Sequence, residues 1–205
     1  MSAPYTYNTI AKPSQAEFRD RGSRFIAYAF PVQNAAECKE KLALLKKEHA
    51  KATHHCFAYR LGLDGTPFRV SDDGEPSGTA GRPILGQLDS RGLTQVMVVV
   101  VRYFGGTLLG VPGLIHAYKT AAALALQTTP VLQKPVEERY RLQFDYTRLN
   151  EVLHLIRQYD CTIHHQDLQL FCRLDIGIPR KNLAICLLRL GDLPQVEKTP
   201  VPAAG

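Results

Sequence analysis

Two linked stretches decide the fold of the chain: Ser71-Asp-Asp-Gly-Glu-Pro-Ser-Gly-Thr-Ala-Gly-Arg-Pro83 and Val98-Val-Val-Val-Arg-Tyr-Phe-Gly-Gly106. The first contains three carboxylates and three glycines, which is typical of a loop that opens a helix. The second is a valine run that ends in an arginine and a glycine pair. Because a near-continuous valine run is buried on both faces, it predicts an interior strand of a mixed sheet. We expect the segments before these stretches to act as scaffold.

The length and composition are those of a globular protein of two small domains. The chain has 205 residues, of which 45% are hydrophobic, well above the disordered range. Its longest apolar run, Val96 to Val101, is far short of the roughly 20 residues that cross a bilayer. We expect no signal peptide and no membrane partner. The five cysteines include no CxxC pair, which predicts reduced thiols in a cytoplasmic protein and argues against a zinc site.

Positive charge is confined to the first part of the chain. Residues 1–134 contain 16 Lys and Arg against 10 Asp and Glu, whereas residues 135–205 contain 9 of each class. The first segment therefore carries the whole net charge of +6. Such a basic field is either an ordinary soluble surface or an attraction for a polyanion such as RNA or the ribosome.

Regular elements are predicted on the N-terminal side of the acidic loop. Alternating apolar residues predict a β-hairpin over residues 14–31, and a helix is expected from its cap Asn34 to about Ala52. Asp64-Gly65 suits a two-residue hairpin turn in which residue 63 opposes residue 66.

The register of that second hairpin brings charged side chains to one face. Arg60 lies opposite Arg69 in it, and like charges so placed are destabilising unless a counter-anion lies between them. The same face collects His54, Asp73 and Glu75 at its other end, and His55 stands next to His54 in the strand. The cluster is either a set of internal salt bridges or a site where a metal or an anion completes the charge balance.

The acidic loop does not match a P-loop, because no Gly-Lys-Ser/Thr follows its glycines. Ser77 is predicted to cap the helix that follows, through Leu88. The three carboxylates would repel a phosphate unless Mg²⁺ or Mn²⁺ bridges the two, or unless arginines neutralise them. Four arginines are candidates for that role: Arg60, Arg69, Arg82 and Arg102.

Arg102 is the most informative of these charges because it ends the valine strand. A charge at such a place is costly unless it is paired or used. With Tyr103 and the glycine pair beside it, Arg102 is suited to hold a phosphate or a carboxylate. Nucleophilic catalysis by Cys56 or Ser77 is a further hypothesis, and it needs a base oriented by a third group.

A linker over residues 128–136, with prolines at both ends, is predicted to separate domain 1–134 from domain 135–205. The second domain is expected to contain strand 138–144, helix 147–159, strand 161–166, strand 169–176, helix 180–190 and strand 195–198. This β-α-β-β-α-β order predicts a ferredoxin-like fold.

A series of short motifs occurs in order along residues 14–127. They are Ser23-Arg24-Phe25-Ile26, His54-His55-Cys56, the loop from Asp72 to Pro83, the strand from Val99 to Gly106, Gly110, Gly113-Leu114 and Ala117-Tyr118. Together they resemble the IMPACT family in its bacterial, YigZ-type form. The segment after residue 135 is similar to the domain of unknown function of that form, which itself resembles the C-terminal domain of elongation factor G.

The resemblance implies an α+β fold. Its first domain would be a two-layer α/β domain similar to the second domain of a small-subunit ribosomal protein, followed by the ferredoxin-like domain. For eukaryotic members the resemblance implies regulation of translation through a partner that activates a stress kinase. For bacterial members it implies association with nucleic acid or the ribosome, and it carries over no catalytic residue. His116 stands where the family commonly has a lysine or arginine, which reduces the positive charge there at neutral pH.

The leading hypothesis is a non-enzymatic protein without a cofactor that binds RNA, the ribosome or a translation-related protein through its basic first domain. One alternative is an enzyme or small-ligand binder for a phosphorylated substrate, with or without a divalent metal, at the acidic loop. Another is a pure protein-interaction module. The candidate ligand or partner site contains His54, His55, Arg60, Arg69, Asp72, Asp73, Glu75, Ser77, Thr79, Arg82, Arg102, Tyr103, Gly105, Gly106 and Lys119.

Overall fold

The computed structural model describes residues 4–202. They form two compact units, one of Tyr7–Lys134 and one of residues 135–202 together with residues 4–6. Each unit has its own buried hydrophobic side chains. No helix in the described part of the chain is long and apolar enough to span a membrane.

The first unit is built on a five-stranded sheet. The elements up to residue 135 are β1 (Thr6–Ile10), β2 (Ser14–Asp20), β3 (Ser23–Pro31), α1 (Ala35–Glu48), β4 (His54–Arg60), β5 (Phe68–Ser71), α2 (Gly81–Asp89), β6 (Val96–Tyr103), α3 (Gly110–Gln127) and β7 (Val131–Pro135). The sheet has the order β2-β3-β6-β4-β5, and all neighbouring strands are antiparallel. The valine strand β6 is interior as predicted, but the sheet is antiparallel and not mixed.

Different helices cover the two faces of this sheet. Helices α2 and α3 pack on the face that includes Phe25 and Val98, and α1 packs on the face that includes Tyr28 and Val99. Because side chains alternate along a strand, the valine run of β6 supplies both cores. The predicted α+β class is confirmed, and in this unit the sheet is the middle of three layers where two layers were predicted.

The predicted linker contains a strand. Residues 131–135 form β7, which pairs with β1 in a two-stranded sheet, and the sequence did not predict either strand. The carbonyl of Pro130 accepts a hydrogen bond of 2.9 Å from the N–H of Ala11. Pro130 precedes the strand and Pro135 ends it, so neither proline interrupts its interior.

The β4–β5 hairpin has a different register from the predicted one. Arg60 lies opposite Phe68 and not opposite Arg69, which is a shift of one residue. The loop is longer than two residues because Gly62 and Gly65 both adopt positive φ and turn the chain twice. A shift of one residue turns the side chains of one strand to the other face, so Arg60 and Arg69 lie on opposite faces of the sheet.

Two helix starts show which local signals were sufficient. Helix α1 begins after Asn34, whose side chain accepts a hydrogen bond of 3.0 Å from the N–H of Glu37, and this confirms the predicted cap. The largely apolar run that follows Gly113 predicts a helix from about Leu114 to Gln127, but helix α3 begins four residues earlier, at Gly110. Pro112 does not oppose the earlier start, because first-turn residues have no intrahelical acceptor for an N–H group.

The second unit has a four-stranded sheet. Its elements are β8 (Glu137–Asp145), α4 (Leu149–Gln158), β9 (Thr162–Leu168), β10 (Phe171–Pro179), α5 (Leu183–Gly191) and β11 (Glu197–Pro200). The sheet has the order β11-β8-β10-β9 with antiparallel neighbours. Helices α4 and α5 pack on the face that includes Leu142 and Leu174. This arrangement confirms the predicted ferredoxin-like fold.

Candidate functional site

Asp72 organises the start of α2. Its carboxylate accepts hydrogen bonds from the backbone N–H groups of Gly78 at 2.9 Å, Ala80 at 3.0 Å and Gly81 at 2.8 Å. Burial alone would raise the pKa of Asp72, but these three N–H groups lower it below its usual value. The predicted cap, Ser77, is exposed and α2 begins only at Gly81. The prediction of a Ser77 cap is therefore wrong, because a charged acceptor outside the helix takes the free N–H groups.

Asp73 connects the acidic loop to β4. Its carboxylate accepts a hydrogen bond of 2.7 Å from the backbone N–H of His55 and lies 3.3 Å from the Lys46 ammonium group. Its carbonyl oxygen lies 2.8 Å from Nδ1 of His54. The backbone of Asp73 has φ +42°, a left-handed conformation that Asp tolerates better than most residues. The prediction that the histidines lie beside the acidic loop is confirmed by these distances.

Glu75 and Arg102 form a buried ion pair. Oε1 of Glu75 lies 2.6 Å from Nη1 of Arg102 and accepts a hydrogen bond of 2.7 Å from the Tyr118 hydroxyl. The two charged side chains are only 3% and 6% exposed. The guanidinium carbon lies 5.4 Å and 5.6 Å from the ring centroids of Phe25 and Phe104. Arg102 is thus paired, as the cost of a buried charge requires.

The glycine pair lets two loops approach closely. Gly105 lies against the turn between β2 and β3, and a Cβ atom there would be 1.9 Å from the carbonyl carbon of Gly22. The N–H of Gly105 donates to Oγ of Ser23 at 3.2 Å, and Nη2 of Arg102 lies 3.4 Å from the same oxygen. Gly106 has φ +87° with open space around it. The first glycine therefore serves close packing and the second serves the backbone conformation.

The thiol of Cys56 is inside the same network, and its burial disfavours the reactive thiolate form. It donates toward the Asp72 carbonyl at 2.9 Å and lies 3.3 Å from the Tyr118 hydroxyl. Burial raises the pKa of Cys56 and that of Tyr118. Because the thiolate is the reactive form of cysteine, this environment argues against the hypothesis of nucleophilic catalysis by Cys56. Burial also lowers the pKa of His55, which favours its neutral form.

Several predicted site residues lie away from the acidic loop. Arg60 lies 2.6 Å from the carboxylate of Asp89 and also donates to the Gly65 carbonyl. Tyr103 is on the α1 face, where its hydroxyl lies 2.9 Å from Nδ1 of His49. Arg69 is exposed on that face as well.

The remaining predicted residues divide between the loop and the surface. Thr79 is buried, and its hydroxyl donates to the Pro76 carbonyl at 2.7 Å. Arg82 and Lys119 are exposed. Of the four arginines expected to neutralise the carboxylates, Arg102 alone pairs with one of them among the described residues. The shifted hairpin register accounts for the misplacement of Arg69, whereas Arg60 pairs with Asp89 of α2 at the other end of β4.

Three members of the network were not predicted from the sequence: Ser23, Lys46 and Tyr118. Ser23 and Tyr118 occur in the family motifs, and both bind charged partners. A signal for Tyr118 existed, because it shares the helical spacing of Leu114, Ala121 and Ala125 on the buried face of α3. A buried tyrosine needs a partner for its hydroxyl. Ser23 had no comparable signal, since its role depends on the β2–β3 turn.

Each carboxylate of the acidic loop is thus engaged by donors of the chain itself. Asp72 accepts from three backbone N–H groups, Asp73 from one N–H and Lys46, and Glu75 from Arg102 and Tyr118. No group of three or more His, Cys, Asp or Glu within residues 4–202 is arranged to hold a metal ion. The geometry favours internal charge compensation, the first of the two interpretations of this cluster.

These features define a class: a two-unit α+β protein in which an acidic glycine loop is tied to a central strand by a buried ion pair. The family profile described as "Impact N-terminal domain" matches residues 21–126. The chain is 37% identical over 172 residues to "IMPACT family member YigZ" of Escherichia coli (strain K12), covering 83% of this chain and 84% of that protein. The chain belongs to the IMPACT family.

Two further similarities extend this result. "Protein IMPACT" of Rattus norvegicus is 38% identical over 100 residues, which are 46% of this chain and 31% of that protein. A solved structure titled "Crystal structure of an hypothetical protein" is 31% identical with a TM-score of 0.71, covering 98% of this chain and 100% of that one. The whole two-unit chain therefore has a structural counterpart, whereas the rat relative is similar over less than half of this chain.

Proposed function

We propose that the protein is a translation-associated binding protein that attaches to RNA or ribosomal particles through its basic first unit. One observation carries the proposal: this unit holds the whole net charge of the chain, and much of that charge is free at the surface. Lys39, Lys47, Lys51, Arg69 and Lys119 are exposed and have no ion pair among the described residues. Membership of the IMPACT family supports the association with translation.

The acidic loop does not weaken the attraction for a polyanion. Its carboxylates are neutralised or hydrogen-bonded within the unit, and Glu75 is almost fully buried. The exposed lysines and arginines therefore dominate the field that a nucleic acid meets. The same internal contacts give no support to a phosphorylated-substrate site at the loop, so we propose a binding role and not an enzymatic one.

The experiment is binding of the full chain to purified ribosomes and to a labelled single-stranded RNA at 50 mM and 200 mM salt. Neutralising phosphates releases counterions, so we expect the affinity to fall steeply with salt. The triple variant Lys47→Gln/Lys51→Gln/Lys119→Gln should weaken binding and reduce the slope of log affinity against log salt by up to about 2, at roughly 0.7 for each single-strand contact.

A charge-matched control comes from the second unit. Arg139, Arg157 and Arg173 are exposed and have no ion pair among the described residues, so their triple change to Gln removes the same charge. We expect this variant to bind like the unmodified chain. Absence of salt-sensitive binding to both RNA and ribosomes would overturn the proposal. If capture of partners from extract survives nuclease treatment while RNA binding is absent, the protein-interaction alternative is correct.

A further inference from the structure

A groove lies between the start of α1 and the strands β4 and β5 of the first unit, and its volume is about 230 Å³. Cys38, Leu42 and Met97 contribute apolar surface to it. This α1 groove is on the opposite face of the sheet from the Glu75–Arg102 pair, because Met97 belongs to the α1 face. It is therefore separate from the acidic-loop network.

Two cations line the α1 groove without a counter-charge. Lys39 comes from α1 and Arg69 from β5, and both are exposed without an ion pair among the described residues. No carboxylate is among the described residues that line the groove. Two unneutralised cations beside one concave surface attract an anion. The one-residue shift of the β4–β5 register is what turns Arg69 to this face.

Two aromatic rings line the same groove. Phe57 and Tyr59 are stacked with an interplanar angle of 8° and a centroid distance of 6.2 Å. Phe57 is buried, whereas Tyr59 is partly exposed. A partly exposed tyrosine supported by a second ring is suited to stacking against a flat ligand, since every nucleobase has a π-face.

We propose that the α1 groove binds one nucleotide of a single-stranded RNA, with the base against Tyr59 and the adjacent phosphates on Arg69 and Lys39. The inference rests on the proposed function and names the contact by which RNA is held. The volume is below the roughly 300–1,000 Å³ of pockets for drug-sized ligands, which suits a single base. The basic charge of the surrounding unit favours a chain of phosphates over an acidic protein.

Tyr59→Trp provides a direct readout, because the chain contains no tryptophan. The full-length variant carries a single indole in the groove, and a stacked base quenches indole fluorescence. We expect saturable quenching on addition of a twelve-nucleotide oligouridylate, and reversal of the quenching by salt. Anisotropy of the same RNA, labelled at one end, reports binding anywhere on the protein and is recorded in parallel.

Substitutions at the groove give the quantitative test. Arg69→Gln and Lys39→Gln should each weaken RNA binding about fivefold at 0.1 M salt, which follows from loss of a slope of about 0.7 per contact. Lys134→Gln removes the same charge from the exposed strand β7 and should have a clearly smaller effect. Tyr59→Leu should weaken binding between about fivefold and about 100-fold, as expected for a lost base stack, while Tyr59→Phe retains the affinity.

The outcomes separate this inference from the proposed function. One result would overturn the groove assignment while RNA binding stands: anisotropy shows RNA binding, the indole is not quenched, and Arg69→Gln lowers the RNA affinity no more than Lys134→Gln does. Absence of RNA binding overturns the groove assignment, and absence of binding to both RNA and ribosomes overturns the proposed function as well. If a glutamate–tyrosine copolymer quenches the indole and the oligouridylate does not, the occupant of the groove is an acidic protein and not RNA. If circular dichroism shows that Tyr59→Trp does not fold, the RNA affinities of Tyr59→Leu and Tyr59→Phe, measured by anisotropy, test the groove assignment instead.

Discussion

Arg102 illustrates how one residue joins the two stretches that decide the fold. Its position at the end of a valine strand predicted that it is paired or used, and the structure shows it paired with Glu75 and close to Ser23. Its Nε group is buried and has no hydrogen-bond partner among the described residues. The guanidinium therefore depends on its Nη groups, and chiefly on the carboxylate of Glu75, to offset its removal from water.

The substitution Glu75→Gln is expected to destabilise the first unit by about 3–5 kcal/mol, because it leaves the charge of Arg102 buried without a carboxylate. The measurement is the free energy of unfolding in urea, and hydrogen exchange of peptides from β6 reports the unfolding of the first unit. Asp89→Asn is the control, since it breaks the exposed pair with Arg60 and should cost less than about 1 kcal/mol. The double variant Glu75→Leu/Arg102→Met, without buried charges, should be more stable than Glu75→Gln. Equal costs for Glu75→Gln and Asp89→Asn would contradict the importance of the buried pair.

The start of α2 depends on a residue nine positions before the helix. Asp72 accepts from the N–H of Gly81, the first residue of α2. The loop can return to β5 because Gly81 has no side chain: a Cβ atom there would lie 2.9 Å from the backbone nitrogen of Ser71. Gly81 thus serves the close return of the chain, whereas Gly74 and Gly78 supply positive φ angles of +91° and +78° to the loop.

Asp72→Asn is expected to cost about 1–2 kcal/mol at pH 7, in the range of a lost helix cap. The folded pKa of Asp72 is lowered, so its stabilisation is present above the unfolded pKa of about 3.9 and is lost as the pH falls through the folded pKa. The difference in unfolding free energy between the original protein and Asp72→Asn should therefore shrink below about pH 4. Urea denaturation at pH 7, 5, 4 and 3 measures it. Ser77→Ala, at the position that was wrongly predicted as the cap, is the control and should change stability by less than about 0.5 kcal/mol. If the difference in unfolding free energy between the original protein and Asp72→Asn does not change with pH, Asp72 does not act as the cap.

For the chain as a whole, we propose that the predicted boundary at residues 134 and 135 separates two folding units. The buried apolar clusters support this proposal, because the side chains around Val100 and those around Leu174 belong to different clusters. The net charge divides at the same place in the sequence. The proposed RNA-binding role uses the first unit, and its charge-matched control uses the second.

Leu174→Ala is expected to lower the stability of the second unit by about 2–5 kcal/mol, because Leu174 is fully buried. Hydrogen exchange measured by mass spectrometry should accelerate in peptides of residues 137–200 and remain unchanged in peptides of β3 and β6. Val100→Ala, in the first unit, should give the reverse pattern. Acceleration of both sets of peptides by either substitution would show that the chain unfolds as one cooperative unit.

Sequence alone determined the features that depend on local pattern. The valine run predicted the buried strand β6, Asn34 predicted the start of α1, and the element order after residue 135 predicted the ferredoxin-like unit. These predictions succeed because hydrophobic period and capping chemistry act over a few residues. The motifs were also sufficient to recognise the family, because they depend on the order of residues in the sequence and not on the fold.

The pairing of charges in the candidate site depends on contacts between residues that are distant in the sequence. Glu75 and Arg102 are 27 positions apart, and Glu75 and Tyr118 are 43 apart, so no local pattern connects them. The connection between β4 and β5, residues 61–67, is longer than the predicted two-residue turn, and the resulting register places Arg69 away from Arg60 and beside the α1 groove. Side chains alternate along a strand, so one residue of register decides the face on which each charge lies. The register follows from the positive φ angles of both Gly62 and Gly65. The residue types in the turn did not show that Gly62 would adopt such an angle.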